Sequence, residues 1–199
     1  MLRIIPVLAL LVASPLAAEE TLFAAASQGE QATVERLLAN GVAVDTVGRN
    51  AETPLIAAAL ADKPDIAKIL IDHGAEVMAR NKGGYTPLHA AAYAGSVAVA
   101  TLLLDQGADV DDAANNAGVT PLLVAIEQDQ LAVVELLLGR GAAIEHVDDD
   151  GYSPLTQAWS RKHLAIVRLL KQHGAVCQSV EILGSEAYRQ SCLASGQEG

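Results

Sequence analysis

Two cysteines, Cys177 and Cys192, are the most reactive side chains in the sequence, and both fall near its C-terminal end. Their spacing is not Cys-X-X-Cys and no third cysteine exists for a zinc site, which leaves a disulfide, free thiols or a redox pair. If the chain is exported, an even count favours the disulfide, which would pin the tail to what precedes it. The five histidines, His73, His89, His146, His163 and His173, are dispersed, and none shares a close motif with two further ligands or with a serine or cysteine nucleophile. Asp148, Asp149 and Asp150 could suggest calcium, but their spacing lacks a calcium-loop pattern and fits a solvated loop better. Gly83-Gly84 suits a tight turn, not a phosphate cradle. No catalytic residue, metal site or cofactor is therefore expected. Of the four tyrosines, Tyr85, Tyr93 and Tyr152 are the side chains best suited to anchoring a partner, each having a large rigid body and a polar tip.

The elements that must position these residues are legible around Thr86-Pro87. Proline at a first helical position lacks only an amide hydrogen that has no partner inside the helix. The Ala-rich run after Leu88 then forms a short helix that Gly95 ends, and a second helix follows with Val99, Leu102 and Leu103 on one apolar stripe. Gly107 stops that helix, because glycine takes the left-handed cap without a Cβ clash. Such a unit cannot bury its own stripe and must stack on copies of itself. The copies are present: Leu22, Leu55, Leu88, Leu122 and Leu155 recur at intervals of 33, 33, 34 and 33 residues. Nineteen residues after each comes a glycine: Gly41, Gly74, Gly107, Gly141 and Gly174. The one extra residue lies between Gly107 and Leu122, in a loop that tolerates insertion.

The turn Thr86-Pro87-Leu88-His89 and the ending Gly107-Ala-Asp-Val110 resemble the ankyrin-repeat family over roughly residues 20–176. The resemblance implies an all-α solenoid of five helix-turn-helix repeats with projecting β-hairpin loops. The repeats run at about 19–48, 49–81, 82–115, 116–148 and 149–176, and residues 177–199 form a C-terminal capping segment with a disordered end. Both ends of the array are marked. Where internal repeats carry Ile66/Ile69, Val99/Leu102 and Val133/Leu136, the first has Thr33 and Arg36, suited to a terminal face that meets water. At the other end Lys171 replaces Ile71, Leu104 and Leu138. The family's turn histidine is kept only at His89, with Ile56, Leu123 and Thr156 in its place elsewhere, which predicts looser hairpins there. Trp159 stands where other repeats have Ala59 and Ala92 and should fill space within the fifth repeat. Ser185 to Ala194 could add one more short helix, placing Tyr188 and Cys192 on one face.

Residues 1–18 read as a secretory signal peptide: Arg3, an apolar stretch Ile4–Val12, and small residues up to a cut after Ala18. The apolar stretch is too short to span a bilayer comfortably, which needs about 20 residues. A periplasmic product with no stable membrane insertion after cleavage is expected. The formal net charge of −11 disfavours nucleic acid and anionic lipid and favours basic or neutral partners, although it also serves solubility.

In ankyrin proteins, as the resemblance implies, hairpin tips and the exposed faces of the first helices make a concave binding surface. On this sequence that surface holds Arg49, Glu52, Lys82, Tyr85, Tyr93, Asn116, Glu127, Asp149, Tyr152 and Arg161. Asn50, Leu60, Val119, Gln128, Asp150 and Ser160 lie on it too. The expected function is a non-catalytic module, monomeric when unbound, that binds another exported protein as chaperone, inhibitor or immunity-type antidote. The rival is a redox- or metal-responsive stress protein acting through Cys177 and Cys192.

Overall fold

A computed structural model describes residues 21–178 together with Gln190 and Cys192; the proposed signal peptide and most of the tail lie outside the described residues. Five helix pairs follow one another: α1 (Leu22–Gln28) with α2 (Gln31–Ala39), α3 (Pro54–Leu60) with α4 (Pro64–Asp72), α5 (Pro87–Ala94) with α6 (Val97–Asp105), α7 (Pro121–Glu127) with α8 (Leu131–Gly139), and α9 (Pro154–Ser160) with α10 (Leu164–Gln172). The odd-numbered helices pack on one another in one row and the even-numbered helices in a second. This is the all-helical repeat solenoid that the spacing predicts.

Four of the five first helices start the same way. Thr21, Thr53, Thr120 and Ser153 sit in extended backbone and accept the amide three residues on through their hydroxyls, at 3.1–3.3 Å. Proline follows in all but α1. The recurrent leucines are the innermost atoms: Leu22, Leu55, Leu88, Leu122 and Leu155 are at most 1% exposed. With aromatics only 3% of the chain, helices capped by alanine can approach closely, and Ala58, Ala91, Ala125 and Ala158 are fully buried between them.

The turn inside each pair shows what the glycine signal concealed. Gly29, Asp62, Gly95, Asp129 and Lys162 occupy equivalent places, and all are left-handed, at φ 78°, 51°, 75°, 57° and 63°. Asp62 answers for its conformation by accepting from the Ser96 hydroxyl, and Asp129 by pairing with His163 at 3.2 Å. Lys162 carries the Cβ penalty with a long side chain in the same backbone state. Lys162→Gly is expected to stabilise the protein by about 0.5–1 kcal/mol, less whatever the added freedom of the unfolded chain removes. A urea midpoint shifted upward with unchanged slope would verify it; a downward shift would show that Lys162 is fixed by its neighbours.

Between pairs, the projecting loops differ from the β-hairpins of the expectation: among the described residues they contain no strand. They are tight turns, closed by Gly48 N–H to Glu52 O (2.8 Å), Asn81 to Tyr85 (3.0 Å) and Asp148 to Tyr152 (3.2 Å). Each tip bonds the next by one backbone hydrogen bond: Lys82 N–H to Asn50 O, Asn116 N–H to Gly83 O, and Asp149 N–H to Ala117 O. One bond per junction is too few for a ladder. Gly84, at φ 85°, lets the tips meet, since a Cβ there would lie 2.7 Å from the Asn115 Cα.

A second seam of bonds joins the repeats below the tips. Asp45 accepts the amide of Glu76, Asp111 that of Ala143 and Glu145 that of Val176, at 2.7–3.3 Å, while Met78 offers only a thioether to the amide of Asp109. Part of the acidic excess is thus structural. At the outer end Lys171 donates to the Cys192 carbonyl instead of facing open water, and Cys192 is completely buried and bonded to Cys177. At the other end Arg36 is exposed and Thr33 half-buried. Trp159 is partly buried against the core. Among the described residues no helix is long and apolar enough to cross a membrane.

A tyrosine-lined groove as candidate functional site

The first helices turn one face toward the projecting loops, and between them runs an open groove of about 700 Å³. Its floor comes from α3, α5, α7 and α9 through Ile56, His89, Ala90, Val124 and Gln157, and its walls include Tyr85, Tyr93, Val119 and Tyr152. Six of the ten residues expected on the concave surface line it: Glu52, Tyr85, Tyr93, Glu127, Tyr152 and Arg161. Arg49, Lys82, Asn116 and Asp149 do not. They are exposed on the loop tips beyond its rim, where the backbone bonds between tips hold them. Leu60, Val119, Gln128, Asp150 and Ser160 also line the groove, whereas Asn50 sits exposed on a loop tip outside it.

The tyrosines divide by role. Tyr85 is half-buried and stands edge-on to the His89 ring, centroids 5.5 Å apart, so it packs its own loop as well as facing the groove. Tyr93 and Tyr152 are 54% and 40% exposed, so each keeps surface open to a partner. Leu60, 41% exposed, adds an apolar face to the same trough.

His89 is the most constrained polar group in the floor. Its Nδ1 accepts from the Thr86 amide at 3.2 Å and from the Thr86 hydroxyl at 2.8 Å, and its Nε2 donates to Val119 O in the next repeat at 3.0 Å. Burial holds its pKa below the ordinary histidine value, so the ring is neutral at pH 7, as that pattern of one acceptor and one donor requires. The hydroxyl–imidazole contact has the atoms of a nucleophile–base pair, but Thr86 and His89 are 1% and 2% exposed, and both serve the helix start. Three further histidines serve element ends or loops. His73 follows α4 and bonds Ile69 O at 2.8 Å, His146 bonds Gly118 O at 2.7 Å, and His163 precedes α10. Asp148 spends its Oδ1 on the amides of Asp150 and Tyr152, which is how a turn-forming aspartate behaves.

The groove's charge is acidic. Glu127 and Arg161 pair with each other across neighbouring repeats, leaving Glu52, Asp148 and Asp150. One floor residue escaped the sequence reading. Gln157 stands in register with Ala57, Ala90 and Val124, and an amide in a column of small apolar residues is the signal that marks it. It is 9% exposed, and its Oε1 has no hydrogen-bond partner.

Stacked helix pairs with a groove across their first helices define a helical-repeat solenoid built to offer a surface. A family model for ankyrin repeats, three copies long, matches residues 22–114 and again residues 111–181. The chain therefore belongs to the ankyrin-repeat family, whose members are in general protein–protein interaction modules on a fold that is generally non-catalytic. The comparison with curated proteins gives no match.

Proposed function

We propose that the chain is a non-catalytic periplasmic module that captures another exported protein through the tyrosine-lined groove. The observation that carries this reading is the groove itself: four successive repeats contribute to one trough, with Tyr93 and Tyr152 54% and 40% exposed along it. Exposed tyrosines around an apolar floor are the usual composition of an interface centre. Chaperone, inhibitor and antidote roles all use such a surface in the same way. A thiol-based role fits less well, because Cys192 is fully buried in its disulfide and reactive cysteines need access to solvent.

Photocrosslinking in cells from position 93, with mass spectrometry of the captured species, tests the reading. One dominant exported protein is expected, absent when the probe sits at Lys68 on the opposite row, where the side chain is 64% exposed. Tyr85→Ala with Tyr93→Ala should weaken capture by roughly 30-fold or more, the effect of losing one interface hot spot. Equal labelling at both positions, or capture unchanged in the double variant, would move the site elsewhere.

A further inference from the structure

We propose that Met78 is an oxidation site, at which a peroxide turns the weakest of the four inter-repeat joints below the loop tips into one like the others. The observation that carries it is a column of acceptors. Placed alike after Gly41, Gly107 and Gly141, the carboxylates of Asp45, Asp111 and Glu145 accept a backbone amide of the next repeat. The amides are those of Glu76, Ala143 and Val176, at 3.2, 2.7 and 2.8 Å. Met78 holds the same place after Gly74, and the Asp109 amide stands in register with the other three. Here the acceptor is a thioether sulfur at 3.4 Å, and among the described residues that amide meets no other acceptor.

A thioether is a weak acceptor. Oxidation makes it a polar sulfoxide, a change that disrupts a core when the sulfur lies inside one. The Met78 sulfur instead lies beside an exposed amide, so an added oxygen meets a donor and water and not hydrocarbon. The residue is only half-buried, which leaves an oxidant a way in. Its unbranched side chain has the freedom to withdraw the sulfur while the oxygen takes its place against the amide. Other sulfurs do not compete. Cys177 and Cys192 are joined to each other, and the one other methionine is Met1, in the stretch read as a signal peptide. The step is an oxygen transfer from hydrogen peroxide. The sulfur attacks one peroxide oxygen, the S–O bond forms as the O–O bond breaks, and the leaving hydroxide takes the proton of the transferred oxygen and departs as water. Sulfur is oxidised and the peroxide reduced. The joint so reinforced lies between repeats two and three, which contribute Leu60 and Tyr93 to the groove.

Titrating the full protein with hydrogen peroxide tests this, with peptide mass mapping to place the oxygen and NMR to read amide hydrogen exchange residue by residue. Met78 should gain one oxygen, and exchange at Asp109 should slow roughly three- to tenfold, the range that one added hydrogen bond allows. The urea midpoint should hold or rise. Met78→Gln, which offers a neutral amide oxygen in place of the sulfoxide, should show the slowed exchange before any peroxide is added. Met78→Leu should show no slowing at any peroxide concentration, which separates Met78 from oxidation elsewhere, as at Trp159. Three results would each overturn the proposal: a Met78 left intact while free methionine in the same solution is consumed, exchange at Asp109 unchanged or faster in the oxidised protein, or a lowered urea midpoint.

Discussion

Arg80→Ala is expected to cost about 2–3 kcal/mol, because it takes the partner from a buried carboxylate. The Arg80 guanidinium grips Asp112 with both nitrogens, Nη1 to Oδ1 at 2.9 Å and Nη2 to Oδ2, and reaches the carbonyls of Gly84 and Ala114 at 3.0 and 3.2 Å. It thereby locks the loop before α5 to the loop before α7. Asp112 is 4% exposed at its side chain, and removing the cation strands a buried carboxylate. Stranding a buried charge costs roughly 3–5 kcal/mol; the figure is reduced here because Arg80 is 36% exposed and its own charge is partly screened by water. Hydrogen exchange should localise the loss to the two loop tips, around residues 81–85 and 114–119.

The pH dependence of that loss has a definite sign. The Arg80 hydrogen bond holds the Asp112 pKa below its ordinary value, outweighing the burial that would raise it. In the native protein its contribution is therefore complete above the unfolded pKa of about 3.9 and disappears as pH falls through the lower folded value. Without Arg80, burial is left as the leading influence and the folded pKa rises above the unfolded one. The folded variant then binds the proton first, and its stability improves as pH falls through that raised value. His89, with a folded pKa lowered chiefly by burial, loses stability below about pH 6.5; the Arg80 charge adds to that lowering, so the loss is smaller in the variant and acts in the same direction. The gap between native and variant should thus narrow from pH 7 to pH 4 in urea titrations. A constant gap would show that Asp112 is not left as a buried carboxylate.

That pair marks the boundary of what the sequence discloses. The repeat is legible because stacking demands the same apolar residue at the same place each time: five leucines at one spacing are buried to at least 99% in the structure. The terminal glycines are legible for a different reason. Gly41, Gly74, Gly107, Gly141 and Gly174 have φ between 83° and 90°, with open space where a Cβ would go, so backbone conformation alone selects them. The turn inside each pair was only half legible, since Asp62, Asp129 and Lys162 take the left-handed state that glycine would have announced. Within the groove, Tyr93, Tyr152, Glu127 and Arg161 follow from register. Arg80 and Asp112 do not: charged loop residues are common, and only the packing of one tip on another chooses which two meet. Gln157 was visible as an exception in its column, but exceptions show themselves only when the repeats are read side by side.

Replacing Cys177 and Cys192 by serine is expected to remove about 3 kcal/mol, the loop-closure contribution of a bond spanning 15 residues, and the place of the loss matters more than its size. In the middle of the array a repeat is buttressed by the next one, as when His89 donates to Val119 O. Repeat five receives the equivalent support from Gln178, whose Oε1 accepts from Ser153 N–H at 3.1 Å and from the Thr156 hydroxyl, and whose Nε2 donates to Gly151 O at 3.0 Å. Thr156 stands in the register of His89, so Gln178 plays the part of a following repeat. The disulfide holds that residue's neighbour, Cys177, to the buried Cys192, which Lys171 also fixes through its carbonyl. Because repeat arrays lose structure locally, from the least supported end, the variant should show faster hydrogen exchange in α9 and α10 with α3 to α6 unchanged. The groove would then lose its fifth-repeat wall, including Tyr152 and Gln157, and capture of the partner should fall although no groove residue has changed. Uniform exchange across the array, or undiminished capture by the serine variant, would separate the disulfide from the site. If both effects occur together, the oxidised cap is what keeps the last wall of the groove in place, so an oxidising compartment is a condition for binding and the cysteines need no redox chemistry of their own.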